Sequence, residues 1–453
     1  MNLFALSSVG AAVALALAAS GAGSPRTQGR AVPCDPDNAG LTLPPGFCAT
    51  KFADSLTAPR HMVVAPNGDL LVVASAPGGR GAQPGAIPER LILLRDADGD
   101  GKAEFRKTFP NGGGSGIALA NASLYVTSGR AIVRYAYTAG ATELGRPDTI
   151  VSDFAPGGHS AYNFVVVGGT LYMNVGSFSN SCQEQNRQGR SRGVDPCVEL
   201  ETRAGIWAFD ANRTGQKPTD GKRFATGMRN SVSLTVNPRD NTLWAAMHGR
   251  DGLQAPPIGQ WTFSNEYGAE NPAEQVNHIF EGDDFGWPYC YWSNEEKKLV
   301  TMPEYGGDGR QSDRCVGRKN PAYAFPGHWA PNDMLFYTGT QFPAEYREGA
   351  FIAFHGSWNR APLPAGGYNV SFLPIRAKKV LFVSVGGDAA GPHRVFADGF
   401  VPPEWLTSGG APPSPATPVR LRRPTGLAQG TDGSLFVSAD VGGTIFKISY
   451  RGK

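Results

Sequence analysis

Six times along the chain a short turn delivers a run of the form small-polar-Leu-aromatic/aliphatic-Val. The copies are Gly68-Asp69-Leu70-Leu71-Val72, Ala122-Ser123-Leu124-Tyr125-Val126, Gly169-Thr170-Leu171-Tyr172-Met173, Asn241-Thr242-Leu243-Trp244-Ala245, Gly349-Ala350-Phe351-Ile352-Ala353 and Gly433-Ser434-Leu435-Phe436-Val437. Apolar runs precede several copies (62–65, 117–119, 164–167, 232–236, 426–428), and others follow (132–135, 206–209, 445–448). Short apolar or alternating runs bounded by Pro-Asn-Gly, Gly-Gly and Asp-Gly turns read as strands. Spacings of 54, 47, 72, 108 and 84 residues between the leucine-type positions fit β-meander units with insertions between them. A sandwich would need fewer strands. The fold class expected is all-β: one six-bladed β-propeller of four-stranded antiparallel blades with long inter-blade loops. A degenerate copy within 250–345 would raise the count to seven or eight.

A closed propeller occupies 453 residues as one domain, and 59 glycines and 36 prolines supply its turns. The net charge of +3 is spread without a basic cluster, which gives no electrostatic case for nucleic acid or an anionic membrane surface. Residues 1–22 resemble a secretory signal: an apolar run over 9–19, then small residues, although no Lys or Arg precedes it. No segment is long enough to span a bilayer. A linker over 23–40, a propeller over 41–453 and a periplasmic or secreted location follow. The six cysteines fall into local pairs, Cys34 with Cys48, Cys182 with Cys197 and Cys290 with Cys315, the simplest of fifteen connectivities; six free thiols are the alternative. No Cys-x-x-Cys-His occurs, so no c-type haem is expected.

The innermost strands of a propeller start near the mouth of its axial channel. Polar residues just ahead of those strands should therefore converge: Arg60-His61, His159-Ser160, Arg229-Asn230 and Arg423. Guanidinium forks suit carboxylates or a developing oxyanion, and several in one pocket repel unless an anion neutralises them. Pairing of each with a local Asp or Glu is the alternative. His159, in Gly157-Gly158-His159-Ser160, has the chemistry of a general base toward a hydroxyl; a hydrogen-bonded structural role is its alternative. Asp96-Ala97-Asp98-Gly99-Asp100-Gly101 starts like a calcium loop, but Lys107 stands where an EF-hand needs Glu. It reads as a polar hairpin turn, with or without a structural calcium.

Taken in order, Ala58-Pro59-Arg60-His61, the His159 segment, Gly227-Met228-Arg229-Asn230, Asp284-Phe285-Gly286-Trp287-Pro288-Tyr289, Phe354-His355-Gly356-Ser357-Trp358-Asn359-Arg360 and Arg423-Pro424-Thr425-Gly426 resemble the glucose/sorbosone dehydrogenase family, nearest its sorbosone-type branch. These are exported six-bladed propellers that use pyrroloquinoline quinone (PQQ) and calcium. The resemblance implies that His159 takes a proton from the substrate hydroxyl while hydride moves to the quinone, and that Arg229 stabilises the charge growing on the quinone oxygen. It also implies that Asn230, Arg60 and Arg423 orient the tricarboxylate, that His355, Trp358 and Asn359 complete the pocket, and that the carbonyls of Gly249 and Arg250 hold calcium. The substrate implied is a sugar, an aldose or a sorbosone-like aldehyde, with electrons passed to an external acceptor. Trp287, Tyr289, Tyr291 and Trp292 could form a sugar-stacking wall or simply pack a loop.

Two departures stand out. The lysine that soluble glucose dehydrogenases place in the segment matching His355 to Arg360 is absent, with Arg360 as a substitute, and Tyr162 stands where many sorbosone-type relatives carry Arg. The competing readings are a calcium-dependent propeller lactonase, which would need acidic or Asn side chains facing the channel, and a non-catalytic carbohydrate-binding propeller.

Overall fold

The computed structural model describes residues 33–75, 90–189, 191–254, 263–375, 392–407 and 421–452. The segment read as a secretory signal, 1–22, lies outside them.

Six four-stranded antiparallel sheets form the propeller. Blade one comprises Pro59–Val64, Leu70–Ala74, Arg90–Arg95 and Phe105–Phe109; blade two, Ile117–Ala120, Ser123–Ser128, Ala131–Ala136 and Asp148–Val151. Blade three comprises Phe164–Val167, Thr170–Val175, Gly205–Asp210 and Lys222–Thr226; blade four, Ser233–Asn237, Thr242–Met247, Glu274–Ile279 and Tyr323–Phe325. Blade five comprises Pro331–Phe336, Gly349–Phe354, Asn369–Pro374 and Arg394–Ala397. Blade six takes Pro424–Gln429, Leu435–Ala439 and Thr444–Tyr450 from the C-terminal end and its fourth strand, Phe47–Ala53, from the N-terminal end.

The six repeats seen in the sequence are the second strand of each blade. They are apolar on both sides because each sheet is covered on both faces: all five residues of Leu70–Ala74 are buried. An apolar cluster fills every gap between neighbouring blades. Leu71, Val73 and Leu93 meet Leu124 and Val126 between blades one and two, and Ile206 meets Leu243 and Ala245 between three and four. Phe351 and Phe372 meet Val437 and Phe446 between five and six. Blade six closes on blade one through Ala428, Phe436, Val72 and Ile92.

The widest sequence gap, ahead of Phe351, is an excursion within blade four rather than a further blade. It carries the helix Asn265–Glu270 and a two-stranded ribbon, Cys290–Ser293 paired with Lys298–Thr301. The cysteines pair as the local spacing suggested, Cys34–Cys48, Cys182–Cys197 and Cys290–Cys315. Of the 23–40 segment, residues 33–40 are described and are packed on blade six: Lys51 N donates to Asp35 Oδ2 at 2.8 Å and Ala49 N to Asn38 Oδ1 at 3.2 Å. The Asp96 turn is a polar hairpin between the third and fourth strands of blade one. Its carboxylates accept from the turn itself, Asp96 from Gly99 and Gly101 and Glu104 from Ala97.

Phe47, on the closing strand, sits edge-on to Phe342, Tyr346 and Phe396 at centroid separations of 4.9, 5.4 and 5.0 Å. Truncating a buried aromatic costs about 3–5 kcal/mol. Phe47→Ala is therefore expected to lower the thermal midpoint clearly at fixed scan rate, with blade six opening first in hydrogen exchange; an unchanged midpoint would remove the closing strand as a determinant of stability.

Candidate active site

In an antiparallel pair the start of one strand lies beside the end of the next. The start of each first strand and the end of each second strand therefore share one mouth of the ring. There they enclose a cavity of about 610 Å³, lined by His159, Arg229, Asn230 and Arg423 from first-strand approaches and by His248, Gly249, Asp251, His355, Trp358 and Asn359 from second-strand exits. Arg187, Glu274 and His328 complete most of the lining. Its size is that of a small-molecule site.

Asp251 organises one side. It receives Arg187 Nη2 at 2.9 Å, Arg229 Nη2 at 3.4 Å and Asn359 Nδ2 at 3.1 Å. Burial alone would raise its carboxyl, but the Arg229 and Arg187 guanidiniums win and hold it well below the usual carboxylate range. Arg229 is almost completely enclosed. Its Nε and Nη2 donate to the carbonyl and side-chain oxygens of Asn180 at 3.1 and 2.9 Å, and Nη1 donates to the Gly249 carbonyl at 2.7 Å. Burial lowers it to about 10, so it stays charged at neutral pH. Its neighbour Asn230 is buried, and its Oδ1 has no hydrogen-bond partner among the described residues. A buried orphan acceptor on a cavity wall points to a group supplied from within the cavity.

His159 is held by two close approaches that only glycine permits. A Cβ on Gly158, whose φ is +66°, would lie 2.6 Å from the Ser177 carbonyl oxygen, and one on Gly176 would lie 2.5 Å from the His159 carbonyl oxygen. Buried Arg203 fixes the segment from behind by donating to the carbonyls of Ala155, Pro156 and Gly157. His159 Nδ1 lies 2.9 Å from the Ser177 carbonyl oxygen. A carbonyl only accepts, so Nδ1 carries the hydrogen and Nε2 is the basic nitrogen.

On the far side, Arg60 does not line the cavity. It donates to Asp440 Oδ2 at 3.0 Å, and Asp440 Oδ1 accepts from His355 Nε2 at 2.8 Å. Burial lowers His355, so it is neutral at pH 7. Asp440, which burial would raise, is held down by His355, Arg60 and Arg423. Arg423 clamps the second-strand exit of blade five, Nε to the His355 carbonyl and Nη2 to the Gly356 carbonyl, both at 2.7 Å. Trp358, 64% exposed, stands at the rim. Four guanidiniums (Arg60, Arg187, Arg229, Arg423) thus face two ionised carboxylates, Asp251 and Asp440, and Glu274, which is only partly ionised near neutral pH. Burial also lowers His248, to about 4, and His328. The surplus is positive, which suits an anionic ligand.

Several expectations change. The Arg250 side chain forms a buried ion pair with Glu304, and the expectation for this residue concerns its carbonyl alone. Arg360 cannot stand in for a ligand-facing lysine: it is buried and committed to the carbonyls of Pro364, Ala269 and Gly327 and to Glu270 Oε2. Trp287, Tyr291 and Trp292 are buried around the ribbon and its disulfide, and Tyr289 packs partly buried against them, so this aromatic group is loop packing and not a sugar wall. Tyr162 is buried against Phe154, its hydroxyl donating to the Ala155 carbonyl. Arg187, His248, Asp251, Glu274, His328 and Asp440 went unassigned in the sequence reading. His328 obeys the same rule as His159, since it precedes the first strand of blade five, but that strand was not recognised.

Residues 41–451 match the TrAA12-like family model. A pyrroloquinoline quinone-dependent pyranose dehydrogenase of Coprinopsis cinerea is 26% identical over 297 residues, covering 61% of this chain and 37% of the relative. The chain spans half or less of the length of several curated relatives it matches. Among solved structures, the holo PQQ domain of the Coprinopsis cinerea pyranose dehydrogenase superposes with a TM-score of 0.69 at 22% identity, covering 90% of this chain and 97% of that one. A calcium structure of a Trichoderma reesei family AA12 enzyme gives 0.69 at 19% identity, covering 91% and 97%. Both share the propeller.

Glu274 lines the cavity and accepts from Gly249 N at 3.0 Å and Ala330 N at 3.4 Å. Burial raises its carboxyl from 4.5 to about 7. The folded state therefore holds this proton where the unfolded chain releases it, and the stability it confers, complete below pH 4.5, is lost as pH rises toward 7. The loss amounts to ~3 kcal/mol. Glu274→Gln is expected to flatten this part of the pH profile of the thermal midpoint in chelator-treated protein; an identical slope would place the titration elsewhere.

Proposed function

Because the chain belongs to the TrAA12-like family, we propose that it is a sugar dehydrogenase using pyrroloquinoline quinone and calcium, which oxidises an aldose hemiacetal to the lactone or a sorbosone-like sugar aldehyde, as its hydrate, to the acid. The observation that carries this reading is the gathering of His159, Arg229, Asn230, His355 and Arg423 from four blades around one positively charged cavity. Relatives named as PQQ-dependent enzymes, and a family structure described with calcium, support it. The orphaned Asn230 Oδ1 and the surplus of guanidiniums fit a polycarboxylate with hydrogen-bonding ring atoms.

When bound, the quinone supplies a two-electron acceptor, and calcium supplies a Lewis acid that polarises it. The rest falls to this chain. His159 Nε2 takes the proton of the sugar hydroxyl, and the Ser177 carbonyl steadies the imidazolium that forms through its bond to Nδ1. Arg229, rigidly held and charged, stabilises negative charge developing beside it without having to reorganise. Asn230 and Arg423 orient the cofactor. Arg60 acts on it through Asp440 and His355, and Trp358 and Asn359 border it. The carbonyls of Gly249 and Arg250 would hold calcium; Gly249 O already accepts from Arg229, and its second lone pair remains to serve an ion.

A calcium lactonase draws less support. The two carboxylates that line the cavity are already engaged, Asp251 by Arg187, Arg229 and Asn359, and Glu274 by backbone N–H groups. Disulfide pairing of all six cysteines supports an exported protein, and the electrons pass to an external acceptor.

The direct test adds PQQ and calcium to purified apoprotein and follows dye reduction across a panel of aldoses and sugar aldehydes. The absence of turnover, together with the absence of a quinone-induced absorbance change, would retire the proposal. His159→Ala is expected to cut turnover by about 10²- to 10⁴-fold with quinone titration near that of the parent; strong residual turnover would reject it as the base. Arg423→Ala is expected to weaken quinone binding first, and an unaltered titration would remove Arg423 from the pocket.

A further inference from the structure

From the segment anchored by the Cys182–Cys197 bridge, Arg187 reaches the cavity lining. The loop is braced from within: Val194 N donates to the Cys182 carbonyl at 2.8 Å, Asn180 N to Asn186 Oδ1 at 3.0 Å, and Arg187 N to Gln183 Oε1 at 3.0 Å. The other guanidiniums around the site are largely occupied. Arg229 is spent on Asn180, Gly249 and Asp251, and Arg423 on two carbonyls, while Arg60 is engaged by Ser115 and Asp440 behind the wall. Arg187 differs. Its side chain is 39% exposed, and its bond to Asp251 is to a carboxylate already divided between Arg229 and Asn359. It therefore brings charge to the mouth with donors to spare.

We propose that Arg187 is a further cofactor-binding residue: from the open side of the cavity it grips a carboxylate of the quinone, with Asp251 setting its position. The inference rests on the quinone reading above. A guanidinium on a tethered loop is pre-ordered for such a grip, and a charge-assisted pair at a partly dry mouth is strong but salt-sensitive.

The test titrates PQQ into calcium-loaded apoprotein, read by tryptophan fluorescence quenching at two ionic strengths, for the parent chain, Arg187→Gln and Arg187→Lys. Arg187→Gln is expected to bind the quinone about 10- to 100-fold more weakly, with a shallower salt dependence. Arg187→Lys should fall between the two. The trimethyl ester of PQQ, which lacks the charges, should bind all three chains alike. An unchanged quinone titration with a raised sugar KM would assign Arg187 to the substrate and overturn the proposal, as would an equal loss for the acid and the ester. Failure of the parent chain to bind the quinone would overturn the underlying reading instead, and so separates the two. A thermal midpoint for apo Arg187→Gln matching that of the parent shows that the loop has not simply unfolded.

Discussion

Closure of the ring is the constraint on which the rest of the structure depends. Phe47–Ala53 pairs with Thr444–Tyr450 and gives blade six its fourth strand, so the first described strand and the last are held in one sheet. Each blade has two apolar faces, and a ring is the arrangement that covers both on every blade without leaving an end exposed. The six inter-blade clusters are the energetic content of that closure. The axial mouth is its geometric by-product, because antiparallel pairing brings ten or more chain segments to one rim.

What the rim holds is decided by electrostatics at close range. Asp251 and Asp440 each tie down two or more partners, and each remains ionised because those partners outweigh the cost of burial: Arg229 and Arg187 at Asp251, and His355 ahead of Arg60 and Arg423 at Asp440. Each carboxylate is shared, so neither cancels the arginines around it. The histidines contribute no charge near neutral pH; burial keeps His248, His328 and His355 neutral and leaves them as fixed hydrogen-bonding groups. A cavity built this way is rigid and electropositive before any ligand arrives, the condition under which a developing negative charge is stabilised most effectively.

Much of this was legible in the sequence, for a physical reason. Second strands are buried on both faces, so Leu70-Leu71-Val72 and its five counterparts stay apolar whatever surrounds them. First strands touch the polar axis and are less regular. Pro331–Phe336, the first strand of blade five, carries Asn332 and Asp333 and has no clear apolar pattern; Glu274–Ile279, the third strand of blade four, is masked in the same way by buried Glu274, Gln275 and Asn277. His328 and Glu274 were lost with those strands. Arg187 could not be read at all, since nothing in a loop's composition says which way it folds back. The aromatic run near Trp287 suggested a binding wall because an aromatic ring has the same identity in a core as at a surface, and only burial separates the two. Arg360 was attractive for its charge, yet four acceptors inside the fold claim it.

The bond between Arg60 and Asp440 spans 380 residues. It brings the first strand of the first blade against the exit of the last, and His355 takes its orientation from that junction. The pocket is thus a property of the finished circle: a nascent or truncated polypeptide, however many blades it has completed, owns most of the side chains but not the site.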